Sequence, residues 1–193
     1  MAVTKQDRRE ELVASAAALI AERGLAAVRT RDVTARAGVG VGLLNHYFKW
    51  SDLRAAALDR VLGAGRDRLL GLGPETPAAR RDGLIRAAFD AGNDPLWQVW
   101  VEAGDAARAD PALAEVLDRA MVGFVADVAA LIAEGVAAGD WTCPDPGGAA
   151  MRLLALHDGL LGFLFSGVPP MTREAAEAHL ARAFALECPP AAP

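Results

Sequence analysis

Residues 29–50 read RTRDVTARAGVGVGLLNHYFKW, and the fold turns on how the alternating glycines Gly38, Gly40 and Gly42 are taken. A glycine run cradles phosphate when a strand precedes it and a helix follows. Here the preceding residues carry a helical pattern. Thr30 is placed to cap a helix, Asp32 lies in its first turn, and Val33 and Ala37 face inward. Val41 to Phe48 follows as a second short helix, with Leu44 and Phe48 in step. GVGVG also has the spacing of neither phosphate fingerprint. The stretch reads as helix, glycine turn, helix, the geometry that lays a second helix in the DNA major groove.

On the N-terminal side, Asp7 to Arg23 puts Leu12, Ala16, Leu19 and Ile20 on one helical face, and Gly24 ends that helix. On the C-terminal side, Ser51 is placed to cap a long helix that closes at Gly71, Gly73 and Pro74. Five more helical stretches follow, over Pro77–Ala91, Pro95–Arg108, Pro111–Ala138, Pro146–Phe165 and Thr172–Leu186. Pro95, Pro111 and Pro146 suit a first helical turn, and Asp94 and Asp110 stand before two of them as caps. No stretch alternates as a strand does. The reading is all-α with about nine helices. It divides into a helix-turn-helix segment at 1–52, a helical body at 53–187 and a frayed tail at 188–193.

Composition agrees. The chain of 193 residues is 53% hydrophobic, enough for a real core, and its apolar content is mostly alanine and leucine, which favour helix. Residues 1–60 hold ten Lys/Arg against seven Asp/Glu, whereas the remainder holds ten against eighteen. A basic head on an acidic body implies two jobs. No signal-peptide pattern appears at the start. The most apolar run is broken by Arg152, His157 and Asp158, so no membrane span is expected and the chain is read as cytoplasmic. Cys143 and Cys188 are read as isolated reduced thiols, and the three histidines are too scattered for a metal. No nucleophile motif is present, so neither enzymatic activity nor a cofactor is expected.

The polar residues around the glycine turn suit DNA. Thr30 and Arg31 can meet phosphate at a helix N-terminus, and His46, Tyr47 and Lys49 add donors. Gly42 lacks a side chain where backbone would approach DNA. Asn45 is the best base reader, since its amide can pair bidentately with adenine.

Gly24 to Phe48 resembles the N-terminal DNA-binding domain of TetR-family transcriptional repressors. The family's pattern AGVS-x-G-x-LY-x-HF is met by Ala37-Gly38-Val39-Gly40-Val41-Gly42-Leu43-Leu44-Asn45-His46-Tyr47-Phe48. Gly40 stands for the usual Ser/Thr cap, Asn45 for the usual Tyr and Ser51 for the usual Lys, changes that alter operator choice. The resemblance implies DNA contacts from Thr30 and Arg31, and from Val41, Gly42, Leu43, Asn45, His46 and Tyr47, with Lys49 on phosphate.

The body resembles the BetI-like subgroup of the same family. That implies a homodimer whose last two long helices pair with their twins. Leucines on both sides of the Pro146–Phe165 helix agree with a helix covered on two faces. Leu160, Phe163, Leu164, Leu180, Ala183 and Leu186 are the expected interface. Gly159, Gly162 and Gly167 would allow close approach. Trp97, Trp100 and Asp158 are either core, with Asp158 buried and paired, or the lining of a ligand pocket with Phe89, Met121, Phe124 and Leu161. Trp141 is a further candidate.

An aromatic cage with an acid suits a cationic amine, with Glu102, Asp105 and Asp158 as counter-charges. An apolar ligand held by Arg66 or Arg86 is the other possibility. The whole then reads as a repressor of a palindromic operator, released by a small molecule. A helical carrier or enzyme without DNA binding is the alternative, and within the family so is an activator or multidrug sensor.

Overall fold

The computed structural model describes residues 4–71 and 76–191. Among them are nine α-helices and no strand. The helices are α1 Lys5–Arg23, α2 Thr30–Arg36, α3 Val41–Tyr47, α4 Trp50–Leu70, α5 Pro77–Ala88, α6 Asp94–Ala107, α7 Pro111–Ala138, α8 Pro146–Ser166 and α9 Arg173–Glu187. One turn of 3-10 helix, Ala91–Asn93, leads from α5 into α6.

The all-α expectation holds, and the helix ends correct several assignments. Arg29, not Thr30, takes the cap position of α2, and its backbone N–H donates to the Asp32 carboxylate at 2.9 Å. Helix α4 begins at Trp50, with Leu53 N–H bonded to Lys49 O at 3.1 Å, so Ser51 sits inside the first turn rather than capping it. Helix α5 stops at Ala88 because Asn93 Nδ2 donates to Ala87 O at 2.8 Å, turning the chain into the 3-10 segment. Asp94 opens α6 rather than preceding it. Gly73 and Pro74 lie outside the described residues. Of the tail expected to fray, Cys188 is buried and Pro190 forms an antiparallel bridge with Trp141, while residues 192–193 lie outside the described residues.

By packing, the chain forms two compact units, residues 1–65 with 94–120, and residues 66–93 with 121–193. The division at residue 52 expected from the sequence is one of role and is taken up below. In unit 1, Leu12, Leu19, Ile20, Val33, Leu44, Leu53 and Leu58 are buried together with Val99 and Leu113. Burying each such side chain stabilises the fold by about 1.5–3 kcal/mol. The loop after α1 is tied down by Glu102 of α6, which accepts from Ala26 N–H at 2.9 Å.

In unit 2, α8 and α9 pack along each other and bury Leu153, Leu154, Leu160, Leu161, Leu180 and Phe184. Trp141 lies 2% exposed over Gly135, where an added Cβ would stand 1.9 Å from the indole. Its Nε1 donates to Ile132 O at 2.9 Å. By length and composition alone, α7 and α8 are apolar enough to cross a membrane, a test that a buried core helix also passes. Both nevertheless carry charge that is spent within the chain. Asp127 and Glu134 of α7 pair with Arg66 and Arg80.

Candidate DNA-binding surface and ligand cavity

The α2–α3 turn explains one of its glycines and leaves two unexplained. Gly38 has φ +64°, a left-handed conformation that glycine adopts without strain. Val39 N–H then bonds back to Thr34 O at 3.0 Å, closing the turn. Gly40 has an ordinary φ of −80°, and an added Cβ at Gly40 or at Gly42 would meet nothing within 4 Å. Nothing among the described residues therefore requires glycine at 40 or 42.

Only Leu44 of α3 is buried; Phe48, just past its end, is also buried and anchors the helix. The outer face carries Val41, Gly42, Leu43, Asn45 and His46, all exposed, with Tyr47 half-buried. Arg31 and Lys49 are exposed, and Thr30 is half-buried at the start of α2. Among the described residues, Arg31, Asn45 and Lys49 have no side-chain hydrogen bond or ion pair in the chain. The His46 and Tyr47 rings meet edge-on, with centroids 5.2 Å apart.

Neighbouring arginines differ. Arg36 is held by Glu22 through contacts of 2.7 and 2.9 Å, and Arg29 donates to the carbonyls of Ala26 and Val28. Arg9 stacks 4.0 Å over Phe48 and donates to Tyr47 O at 2.6 Å, bracing the end of α3. Sequence reasoning missed Arg9, because nothing local ties it to a helix so far along the chain.

In unit 2, a cavity of about 50 Å³ lies among α5, α7, α8, α9 and the end of α4. Its wall is apolar apart from Arg81 and His157, and Phe124 is the one expected pocket residue that lines it. Both polar groups have partners. Arg81 pairs with Asp82 at 2.6 Å and lies 5.5 Å from the Trp141 and Phe184 rings. His157 Nδ1 lies 3.0 Å from Asp158 Oδ1.

The other expected pocket residues fall elsewhere. Trp97 and Trp100 belong to unit 1, where Trp100 packs against the core. Phe89 and Leu161 are buried in unit 2, and Met121 is half-buried there. Asp158 is 36% exposed, so it is not the buried acid expected from its apolar helix. Trp141 is core. Glu102 is occupied by Ala26 N–H and Gln98, and Arg66 by Asp127.

A short helix held by its inner face, with an exposed outer face of mixed apolar and polar residues, belongs to the helix-turn-helix class. Residues 12–50 match the family model described as bacterial regulatory proteins, tetR family. Residues 77–189 match the one described as BetI-type transcriptional repressor, C-terminal. The chain belongs to the TetR family of bacterial regulatory proteins.

The HTH-type transcriptional repressor KstR2 of Mycobacterium tuberculosis is 34% identical over 119 residues, 58% of either chain. The chain spans about half the length of the curated relatives it matches. A solved TetR-family transcriptional regulator from Rhodococcus sp. is 27% identical and superposes with a TM-score of 0.73, over 94% of this chain and 98% of that one. A transcriptional regulator from Saccharomonospora viridis, solved in complex with choline, gives a TM-score of 0.76 at 22% identity, over 95% and 98%. At that identity it speaks for the fold alone.

Proposed function

We propose that this protein is a cytoplasmic, ligand-responsive transcriptional repressor that binds a palindromic DNA operator as a homodimer. The observation that carries the reading is the outer face of α3. Gly42 is open, and Arg31, Asn45 and Lys49 are exposed without partners among the described residues. Asn45 reads a base edge, Arg31 and Lys49 meet phosphates, and Gly42 lets the helix backbone come close. In this division residues 1–52 bind DNA and residues 53–187 bind the ligand and the twin.

The dimer forms through the outward strip of α8, where Met151, Ala155, Gly159, Gly162 and Phe163 are exposed, together with Leu186 of α9. Added Cβ atoms at Gly159 and Gly162 would meet nothing in the chain, which leaves room for a second copy. Leu164 and Ala183 are half-buried and can share that interface. Leu160 and Leu180 are only 4% and 7% exposed and support it from beneath.

The effector is an apolar molecule, neutral or bearing a carboxylate that Arg81 meets. No carboxylate lines the cavity, which would leave an amine uncompensated. A cationic amine is the second reading, favoured by the choline bound to the Saccharomonospora viridis relative. Ligand sites occupy roughly 300–1,000 Å³, so entry must part the helices around the cavity. A ligand that binds only the widened state shifts the population toward it.

The test is an electrophoretic shift on DNA from just upstream of the gene, at several salt concentrations. A salt-sensitive shift that survives competitor DNA supports the repressor. Failure there and in random-sequence selection returns the reading to a helical carrier. Loss of the shift with an apolar acid, but not with choline, separates the two effector classes.

A further inference from the structure

Cys143 and Cys188 are distant in the chain, and the fold sets them opposite each other. Trp141 bridges Pro190 in antiparallel sense, and Thr142 N–H donates to Pro189 O at 2.8 Å. Residue pairs along an antiparallel register advance in opposite directions, so the pair after 141/190 and 142/189 is 143/188. Because 142/189 is the hydrogen-bonded position, 143/188 is the non-bonded one, where Cα atoms stand about 4.5 Å apart and side chains lean together. A disulfide accepts Cα separations of roughly 4.4–6.8 Å.

Cys143 and Cys188 are 9% and 3% exposed, whereas Thr142, Pro189 and Pro190 face solvent, so both thiols turn inward from the bridged segments. Both thiols are free and buried. Cys188 also caps α9, its N–H donating to Phe184 O at 2.8 Å, and the Phe184 ring meets Trp141 edge-on at 5.2 Å.

We propose that Cys143 and Cys188 form a dithiol site that closes to an intrachain disulfide by exchange with a small-molecule disulfide such as oxidised glutathione. The Cys143 thiolate attacks one sulfur of the reagent, forming a mixed disulfide and releasing one glutathione thiolate. Cys188 then gives up its proton and attacks the Cys143 sulfur, expelling the second glutathione. Two protein thiols are oxidised, one reagent disulfide is reduced, and two glutathione thiols leave. The order follows from the site. Burial, then the Cys143 thiol, pushes Cys188 up to about 12, so it is the weaker first nucleophile, and Cys143 is the more exposed of the two. The bond would tie the end of α9, beside cavity residue Phe184, to the segment between α7 and α8.

The experiment incubates the reduced full chain with oxidised glutathione at about pH 8.5, the ordinary thiol value. Tryptic peptides are then mapped without reductant. The expected result is one peptide pair joined through Cys143 and Cys188, a protein two hydrogens lighter, and a Tm raised by about 5–10 °C that dithiothreitol reverses. Cys188→Ser should stop at a glutathione adduct on Cys143, and Cys143→Ser should leave Cys188 almost unreacted. Thiols that stay free under conditions that oxidise a control dithiol would overturn the proposal. So would adducts on the wild-type chain without the joined pair, disulfides between chains, or equal reaction of Cys188 in Cys143→Ser.

Discussion

The outer face of α3 and the wall of the unit 2 cavity both hold polar side chains, and the protein treats them in opposite ways. In the cavity, Arg81 and His157 are engaged by Asp82 and Asp158. Around α3, Arg31, Asn45 and Lys49 are left in solvent, and two glycines have open space where side chains would fit. The cavity's two polar side chains have partners in their own chain; among the described residues, Arg31, Asn45 and Lys49 around α3 do not. What the chain does not explain is where an outside partner is to be sought, and substitutions on the two sides should fail differently.

The largest effect is expected in the body. Trp141 is buried, hydrogen-bonded to Ile132 O and seated on Gly135. Trp141→Ala should cost about 3–5 kcal/mol of stability, read by urea unfolding. A variant that kept wild-type stability but lost ligand response would return Trp141 to the pocket and break the comparison on this side.

On the head, Gly42→Ala should leave Tm unchanged, because an added Cβ meets nothing within 4 Å among the described residues. Operator affinity should fall tenfold or more, about 1.4 kcal/mol. A drop in Tm with DNA binding intact would show that the fold, not DNA, requires the glycine. Asn45→Ala should likewise spare stability, cost about 1–3 kcal/mol of specific binding and relax one base position. Selection from random sequence reads that position directly. Unchanged preference there would leave Asn45 as a solvated surface residue.

How much of this was legible beforehand follows the same division. The helix-turn-helix could be read because its signals are local: a glycine at the turn, Leu44 and Phe48 in step, polar residues between them. Ends moved by a residue where a side chain further along decided the cap, as Asp32 did for Arg29. The pocket was legible only in part, because the spacing of Trp97 and Trp100 on one helix does not say which core they join. Asp158 looked buried from its apolar neighbours, yet its carboxylate reaches solvent beside His157. Cys143 and Cys188 looked isolated because the register that pairs them is set by a single bridge across distant segments.

The smallest effect tests whether the body's surface charges act as charges. Arg152 donates to both Glu187 oxygens, at 2.7 and 2.6 Å, and holds that carboxyl below its usual range. A carboxyl lowered in the folded state stabilises folding above its unfolded value of about 4.3, and that contribution is lost as pH falls through the folded value. The pair is solvent-facing, so Glu187→Gln should lower Tm by only about 1–2 °C at neutral pH. The gap between variant and wild type should hold down to about pH 5 and close below the ordinary carboxylate value. If it stayed open in acid, Glu187 would act through packing, and the claim that the body satisfies its own charges would lose this pair. If it closed, the tail beside Cys188 is held in part by a charge pair that acid releases.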